Sequence, residues 1–295
     1  MTQFLWQQYR QNLARDIAWL CFAPPLLSVL GPYSAFVVPG SSKQLNSLLA
    51  RIESQAIPTG PSRDEFSRLG LYYEALVHYF IDQCRAHGIA EIEILNSHLQ
   101  IEKEKRTLGE LDFILRKNDE YIHLESAVKF YLCAQTGNSE WQNWVGPNAR
   151  DRLDKKLLHM QNHQLPMGKQ ADVFSERSEF IIQGMLFYRK GQTPLPRDIN
   201  QSALTGCWLY EHEFLQEIKD DTQTYWHPLT KTQWLTGVHP HQLENQAELT
   251  TKTPASHAIP GLFQTFSKEP RLTEKGFTMV VKNHWPEINS PSRKI

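Results

Sequence analysis

Between Thr107 and Leu132 the chain reads Thr-Leu-Gly-Glu-Leu-Asp-Phe-Ile-Leu-Arg-Lys-Asn-Asp-Glu-Tyr-Ile-His-Leu-Glu-Ser-Ala-Val-Lys-Phe-Tyr-Leu, and this run constrains the fold most. Successive side chains of a strand point to opposite faces. From 121 to 132 the even positions are Ile122, Leu124, Ser126, Val128, Phe130 and Leu132, a core face. The odd positions are Tyr121, His123, Glu125, Ala127, Lys129 and Tyr131. In the preceding stretch Glu110 and Asp112 share one face, while Leu111, Phe113 and Leu115 share the other. Lys117-Asn-Asp-Glu120 between them has the composition of a tight turn. The run therefore predicts a β-hairpin that brings Asp112, Glu125 and Lys129 together at one edge of a sheet. Two acids and a lysine are the minimum set for a hard-cation site that cuts phosphodiesters.

The rest of the chain gives that hairpin a setting. Amphipathic periodicity predicts helices over 3–22, 43–54 and 63–87, the last capped by Ser62 and stopped by Gly88. Strands are expected over 89–101, 108–116 and 121–132, then a loop at 138–147 holding Trp141 and Trp144, and a helix from Asn148 to about 163. Ser178 to Arg189 is almost continuously apolar, as in a strand covered on both faces. After the loop Gly191-Gln-Thr-Pro-Leu-Pro-Arg197, short strand-like pieces carry Trp208, Trp226, Trp234 and Trp285. The fold class is thus α/β, a mixed sheet flanked by helices. Its expected parts are an N-terminal helical layer (1–60), a core (61–190) of order α-β-β-β-α-β, and an aromatic-rich extension packed on that core (191–295).

Composition excludes little but is consistent with this. Hydrophobic residues make up 40% and charged ones 21% of the 295, so the chain can bury a substantial core. A formal net charge of −1 gives no global pull on nucleic acid, and any such contact must come from a local patch. Cys21, Cys84, Cys133 and Cys207 lie far apart without metal or redox spacing, which suits reduced thiols. The N-terminus does not read as a signal peptide, and the apolar stretch 17–30 is broken by Pro24-Pro25. A soluble, cytoplasmic protein without a membrane partner is expected.

The α-β-β-β-α-β order with acids on its second and third strands resembles the PD-(D/E)XK nuclease superfamily. More specifically, Leu108-Gly-Glu-Leu-Asp-Phe113 followed by His123-Leu-Glu-Ser-Ala-Val-Lys-Phe-Tyr-Leu132 looks like a family of uncharacterised bacterial proteins placed in that superfamily. The likeness covers about 60–190 and extends to His284-Trp-Pro286. It implies that Asp112 and Glu125 ligate Mg²⁺, for which Mn²⁺ can substitute, with the Ser126 carbonyl as a third oxygen. Glu74 stands where the superfamily often adds a glutamate from its first helix, beside Leu71, Val77 and Ile81. The pattern's lysine, two residues after the acid, is replaced by Ala127, and Lys129 lies four after it. Two further residues keep the same face and shift the backbone by about 6.6 Å, which a lysine side chain can largely recover. The likeness implies a Mg²⁺-dependent nuclease acting on nucleic acid, with DNA as the expected substrate. The alternative is a catalytically silent nuclease fold that binds nucleic acid or a protein partner.

Each residue also has a plainer explanation. Asp112 and Glu125 can be an exposed cross-strand pair with Lys129 as partner, worth under about 1 kcal/mol, although that leaves Glu74 unexplained. Glu110 reads as a solvated neighbour and His123 as a packed or rim residue. Arg150, Arg152, Lys155 and Lys156, with Asn148, suit phosphate contact at a helix start, or form a solvated face interleaved with Asp151 and Asp154. Gln164 is a weaker polar candidate. Trp141 and Trp144 can stack on bases or pin the loop.

Overall fold

The computed structural model describes residues 5–57, 59–103, 106–135, 140–169, 175–189, 195–196, 198–243, 259–268 and 272–286. Its elements run α1 (Asn12–Phe22), β1 (Val29–Leu30), β2 (Tyr33–Ala35), α2 (Ser42–Glu53), α3 (Leu69–Ala86), β3 (Ile92–Lys103), β4 (Arg106–Lys117), β5 (Glu120–Cys133) and β6 (Trp144–Val145). Then follow α4 (Leu153–His159), a π-helical turn (Met160–Gln164), α5 (Leu165–Met167), β7 (Arg177–Arg189), β8 (Leu204–Tyr210), α6 (Glu211–Asp220), β9 (Thr224–Pro228), β10 (Gly261–Ser267) and β11 (Thr273–Val281). The class is α/β, as the sequence predicts. Two compact units divide the chain, Met1–Lys129 with Leu157–Gly184, and Phe130–Lys156 with Met185–Ile295.

In the first unit the strand order is β3-β4-β5-β7, with β2 also beside β7 through Ser34 and Ala35 against Glu179 and Phe180. The hairpin turns through Asn118 and Asp119, at φ 49° and 66°, between the paired Lys117 and Glu120. Two left-handed residues match the right-handed twist of the flanking strands, and Asn and Asp tolerate them. Strand β5 lies inside the sheet rather than at its edge. Both of its faces are covered as well, since every residue from Ile122 to Ala127 is buried. The expected division into a core face and an open face does not hold there.

The helices of this unit follow their apolar stripes. Ser41 Oγ accepts from Gln44 N at 3.4 Å while Gln44 Oε1 accepts from Ser41 N at 3.0 Å, capping α2. Its buried residues are Leu45, Leu48, Leu49 and Ile52. The helix expected over 63–87 starts later, at Leu69. Ser62 serves a separate turn, its N–H donating to Glu65 Oε2 at 3.1 Å. Likewise the first helix begins at Asn12 after a short turn at Leu5–Gln8; residues 3 and 4 lie outside the described residues. Arg63 on the Ser62 turn meets Asp16 of α1 through Nε (2.7 Å) and Nη2 (2.6 Å), and Tyr72 of α3 donates to the same carboxylate at 2.7 Å. Asp16 is fully buried.

In the second unit the order is β8-β11-β10-β9, with the Met185–Arg189 half of β7 parallel to β8. Strand β8 is parallel to β11, whereas β10 is antiparallel to both β11 and β9. Phe214 of α6 fills a core of Leu209, Trp226, Ile259, Phe263 and Val280. Trp144 is fully buried against the ring of Tyr188, centroids 5.2 Å apart, so it is a core residue and not a base platform. Trp285 is buried and donates its indole N–H to Gly146 O at 3.1 Å. The helix expected from Asn148 begins at Leu153. Of the predicted loops, residues 138–139, 191–194 and 197 lie outside the described residues. Among the described residues no helix is long and apolar enough to cross a membrane.

Candidate active site

All the acids of interest sit in the first unit, around a place where two strand ladders are interrupted. Between β4 and β5 the pairing runs from Lys117 opposite Glu120 to Phe113 opposite Leu124 and ends there. The next residues on each strand are Asp112 and Glu125. Beyond the break the Ser126 N–H donates to Asp112 Oδ2 at 2.8 Å, and the Ser126 hydroxyl reaches the same oxygen at 3.3 Å. On the other flank, β3 pairs Ser97 with Phe113 and Leu99 with Leu111. This leaves His98 facing Asp112 with φ at 54°. A left-handed backbone at a non-glycine residue is held only where its surroundings impose it, and such residues gather at functional sites.

Asp112 carries the electrostatic signature of the cluster. Burial raises its pKa first, and the charge of Glu125 raises it further. The Ser126 N–H pulls in the opposite direction, and Glu74 adds a smaller upward push. The result is a carboxyl held up to about 7. Like charges gathered in a poorly solvated place produce this shift. Glu74, on α3, is mostly buried, and its Oε2 lies 3.8 Å from His98 Nδ1. Leu71, expected in the stripe beside it, is 46% exposed. Glu110 is about half exposed with Oε1 3.2 Å from the same nitrogen, and thus belongs to the rim.

Glu125 is fully buried and held on both oxygens. Oε1 lies 2.8 Å from His123 Nε2, and Oε2 accepts from Gln164 Nε2 at 2.5 Å. His123 is equally buried, so it is neither a rim residue nor a purely apolar packing residue. Its Nδ1 lies 3.3 Å from Ser178 Oγ, and Ser178 donates to Leu165 O at 2.7 Å. The single hydroxyl hydrogen of Ser178 is thereby used, so Nδ1–H of His123 is the donor in that contact. Gly168 allows this packing, because a Cβ there would come within 2.7 Å of the His123 ring. Gln164 ends the π-helical turn, where Leu165 N reaches back to Met160 O. π turns recur at functional sites.

Lys129 is half-buried on β5, whereas Ala127 is 7% exposed. Ala127 thus lies where a lysine would be buried. A Cβ on Gly184 of β7 would fall 1.7 Å from Lys129 O, so glycine permits the close approach of the two strands. The four cationic candidates are in the second unit. Arg150 and Lys155 are exposed, Lys156 is half-buried, and Arg152 pairs with Asp154 at 3.0 and 2.5 Å.

The structure thus brings Glu74, Asp112, Glu125 and Ser126 into one neighbourhood and adds His123, Gln164 and His98. Among the described residues no three His, Cys, Asp or Glu side chains are already arranged to hold a metal ion. Periodicity reaches His98 only once the β3–β4 register is known, since the histidine has no motif of its own. No curated protein and no solved structure matches the chain. The model of the family described as "Domain of unknown function (DUF1853)" matches residues 15–279, which take in every residue of this cluster, and the chain belongs to that family.

Proposed function

We propose that this protein is a Mg²⁺-dependent nuclease-like phosphodiesterase of the PD-(D/E)XK type, acting on DNA in the cytoplasm, with Glu74, Asp112, Glu125 and the Ser126 carbonyl as its cation site. The observation that carries this reading is Asp112, raised to about 7 by burial and by two neighbouring acids. A carboxyl strongly perturbed by burial and by neighbouring acids marks a functional-site candidate. The donors fit a hard cation in kind, since all are oxygens. Hydrogen bonds to His123 and Gln164 use one lone-pair direction on each Glu125 oxygen, and a carboxylate offers about four in all.

When bound, the cation supplies polarisation of the scissile phosphate and a lowered pKa for water. The chain's own residues do the rest. Ser126 holds Asp112 Oδ2 through its N–H, which favours the ionised form. Lys129, same-sided with Glu125 by strand alternation, places a positive charge for the developing phosphorane. Arg150, Arg152, Lys155 and Lys156 supply phosphate contacts that position without reading sequence.

A second reading keeps the fold and removes the chemistry, leaving a silent scaffold that binds nucleic acid or protein. Two observations favour it: Ala127 stands where the lysine is expected, and no ligand trio is preassembled among the described residues. The deciding experiment incubates the protein with single-stranded, duplex and branched DNA and RNA in Mg²⁺ or Mn²⁺. Cleavage lost in Asp112→Asn supports the enzyme; metal and nucleic-acid binding without cleavage supports the scaffold.

A further inference from the structure

The hydrogen bonds around Glu125 close on themselves. Oε1 meets His123, His123 meets Ser178, Ser178 meets the carbonyl of Leu165, and the residue before Leu165 is Gln164, which returns to Oε2. The circuit links β5, β7 and the helical segment of the π turn. His123 and Glu125 are fully buried, and Ser178 is nearly so. A histidine with both ring nitrogens occupied and Gly168 packed against it has a single orientation.

We propose that His123 is a positioning residue for Glu125, fixing its carboxylate so that an incoming hard divalent cation meets an already ordered ligand. This rests on the metal-dependent reading above. Outer groups that orient a ligand govern metal affinity because an unbraced carboxylate must be ordered when the ion arrives. His123 itself touches neither ion nor substrate.

Two near-isosteric variants separate this role from packing. The amide of His123→Gln can stand where Nε2 stands and keep a hydrogen bond to Glu125. The amide of His123→Asn stands near Nδ1, keeping Ser178 and losing Glu125. Mn²⁺ affinity is measured by calorimetry on the full chain, with thermal melting without metal as the control on folding. His123→Asn is expected to weaken Mn²⁺ binding about 10–100-fold, and His123→Gln to restore most of it at a similar melting temperature. Equal, wild-type affinity in both variants overturns the proposal and leaves His123 a packing residue. If His123→Asn does not fold, Ser178→Ala takes its place. That variant loosens the ring without touching the His123–Glu125 contact, and unchanged Mn²⁺ affinity there overturns the proposal equally. A wild-type protein that binds no Mn²⁺ overturns the metal-dependent reading and this proposal together, whereas wild-type binding insensitive to His123 overturns this one alone.

Discussion

The N–H of Ser126 lies 2.8 Å from Oδ2 of Asp112, at the point where the ladder between their two strands has just ended. One carboxylate thus takes over the hydrogen bond of an interrupted sheet while two other acids crowd it. The consequences are measurable.

Asp112 should make stability depend on pH. Its pKa rises on folding from 3.8 to about 7, so between those values the folded chain keeps a proton that the unfolded chain has lost. The contribution is fully present below about pH 4 and is lost as pH rises through about 7. Asp112→Asn should remove this slope. The difference in melting temperature between wild type and variant, followed from pH 4 to 8, should therefore move in the variant's favour; a constant difference excludes the shift.

Divalent cations should oppose the same slope. A cation that binds ionised Asp112 stabilises the folded state by mass action, and more strongly where the proton is gone. Mn²⁺ should raise the melting temperature more at pH 8 than at pH 5. In Asp112→Asn the metal effect should shrink at both.

Lys129→Ala should abolish cleavage while leaving Mn²⁺ affinity nearly intact, because its charge acts on water and transition state. Moving the lysine back, as Ala127→Lys with Lys129→Ala, is attractive from the strand pattern alone. The burial of Ala127 argues against it, since an ammonium there is desolvated. That double variant should melt well below Lys129→Ala. Wild-type turnover in Lys129→Ala would reduce the lysine to a spectator.

The buried Asp16–Arg63 pair gives a stability test away from the cluster. Removing the arginine leaves a fully buried carboxylate without its counter-charge, so Arg63→Ala should lose about 3–5 kcal/mol in urea unfolding. Tyr72→Phe removes one hydrogen bond to the same carboxylate and should lose about 1.5–3 kcal/mol. Comparable losses would mean that the pair is not the anchor between α1 and the Arg63 turn.

Gly184→Ala should destabilise by about 3 kcal/mol or more, because its Cβ meets main chain rather than a movable side chain. A variant that melts like wild type would show that β7 can retreat from Lys129 at little expense.

Alternation and turn chemistry made the 106–133 hairpin readable, since the Asn118–Asp119 turn and the apolar positions all demand one register. The α2 helix was equally readable from its four apolar residues. The whole covering of β5 was not. An alternating pattern with His and Glu on one side looks half-exposed, and only the packing in three dimensions, with Gln164 on Glu125, shows that both faces are closed. Of the two readings for His123, packed or at the rim, burial selects the packed one, and His98 escaped notice because its significance lies in facing Asp112 across a strand pair. Ser62 and Asn148 each looked like helix starts, yet the helices begin several residues later, since local cap chemistry does not say how long the preceding turn continues.

The π turn at Met160–Gln164 has a consequence for how this stretch can vary. The wider i→i+5 turn holds more residues than an α-helical turn and rotates less per residue, so the side chains beyond it lag behind their positions in an unbroken α-helix. The angular offset lets Gln164 address Glu125 while Leu165, next to it, presents its carbonyl to Ser178. Individual side chains on the outer surface, such as His159 and His163, can change without altering that phase. Deleting one residue from the turn would remove the i→i+5 contact between Leu165 N–H and Met160 O, so the placement of Gln164 and Leu165 depends on the length of this turn more than on the identity of its outward side chains.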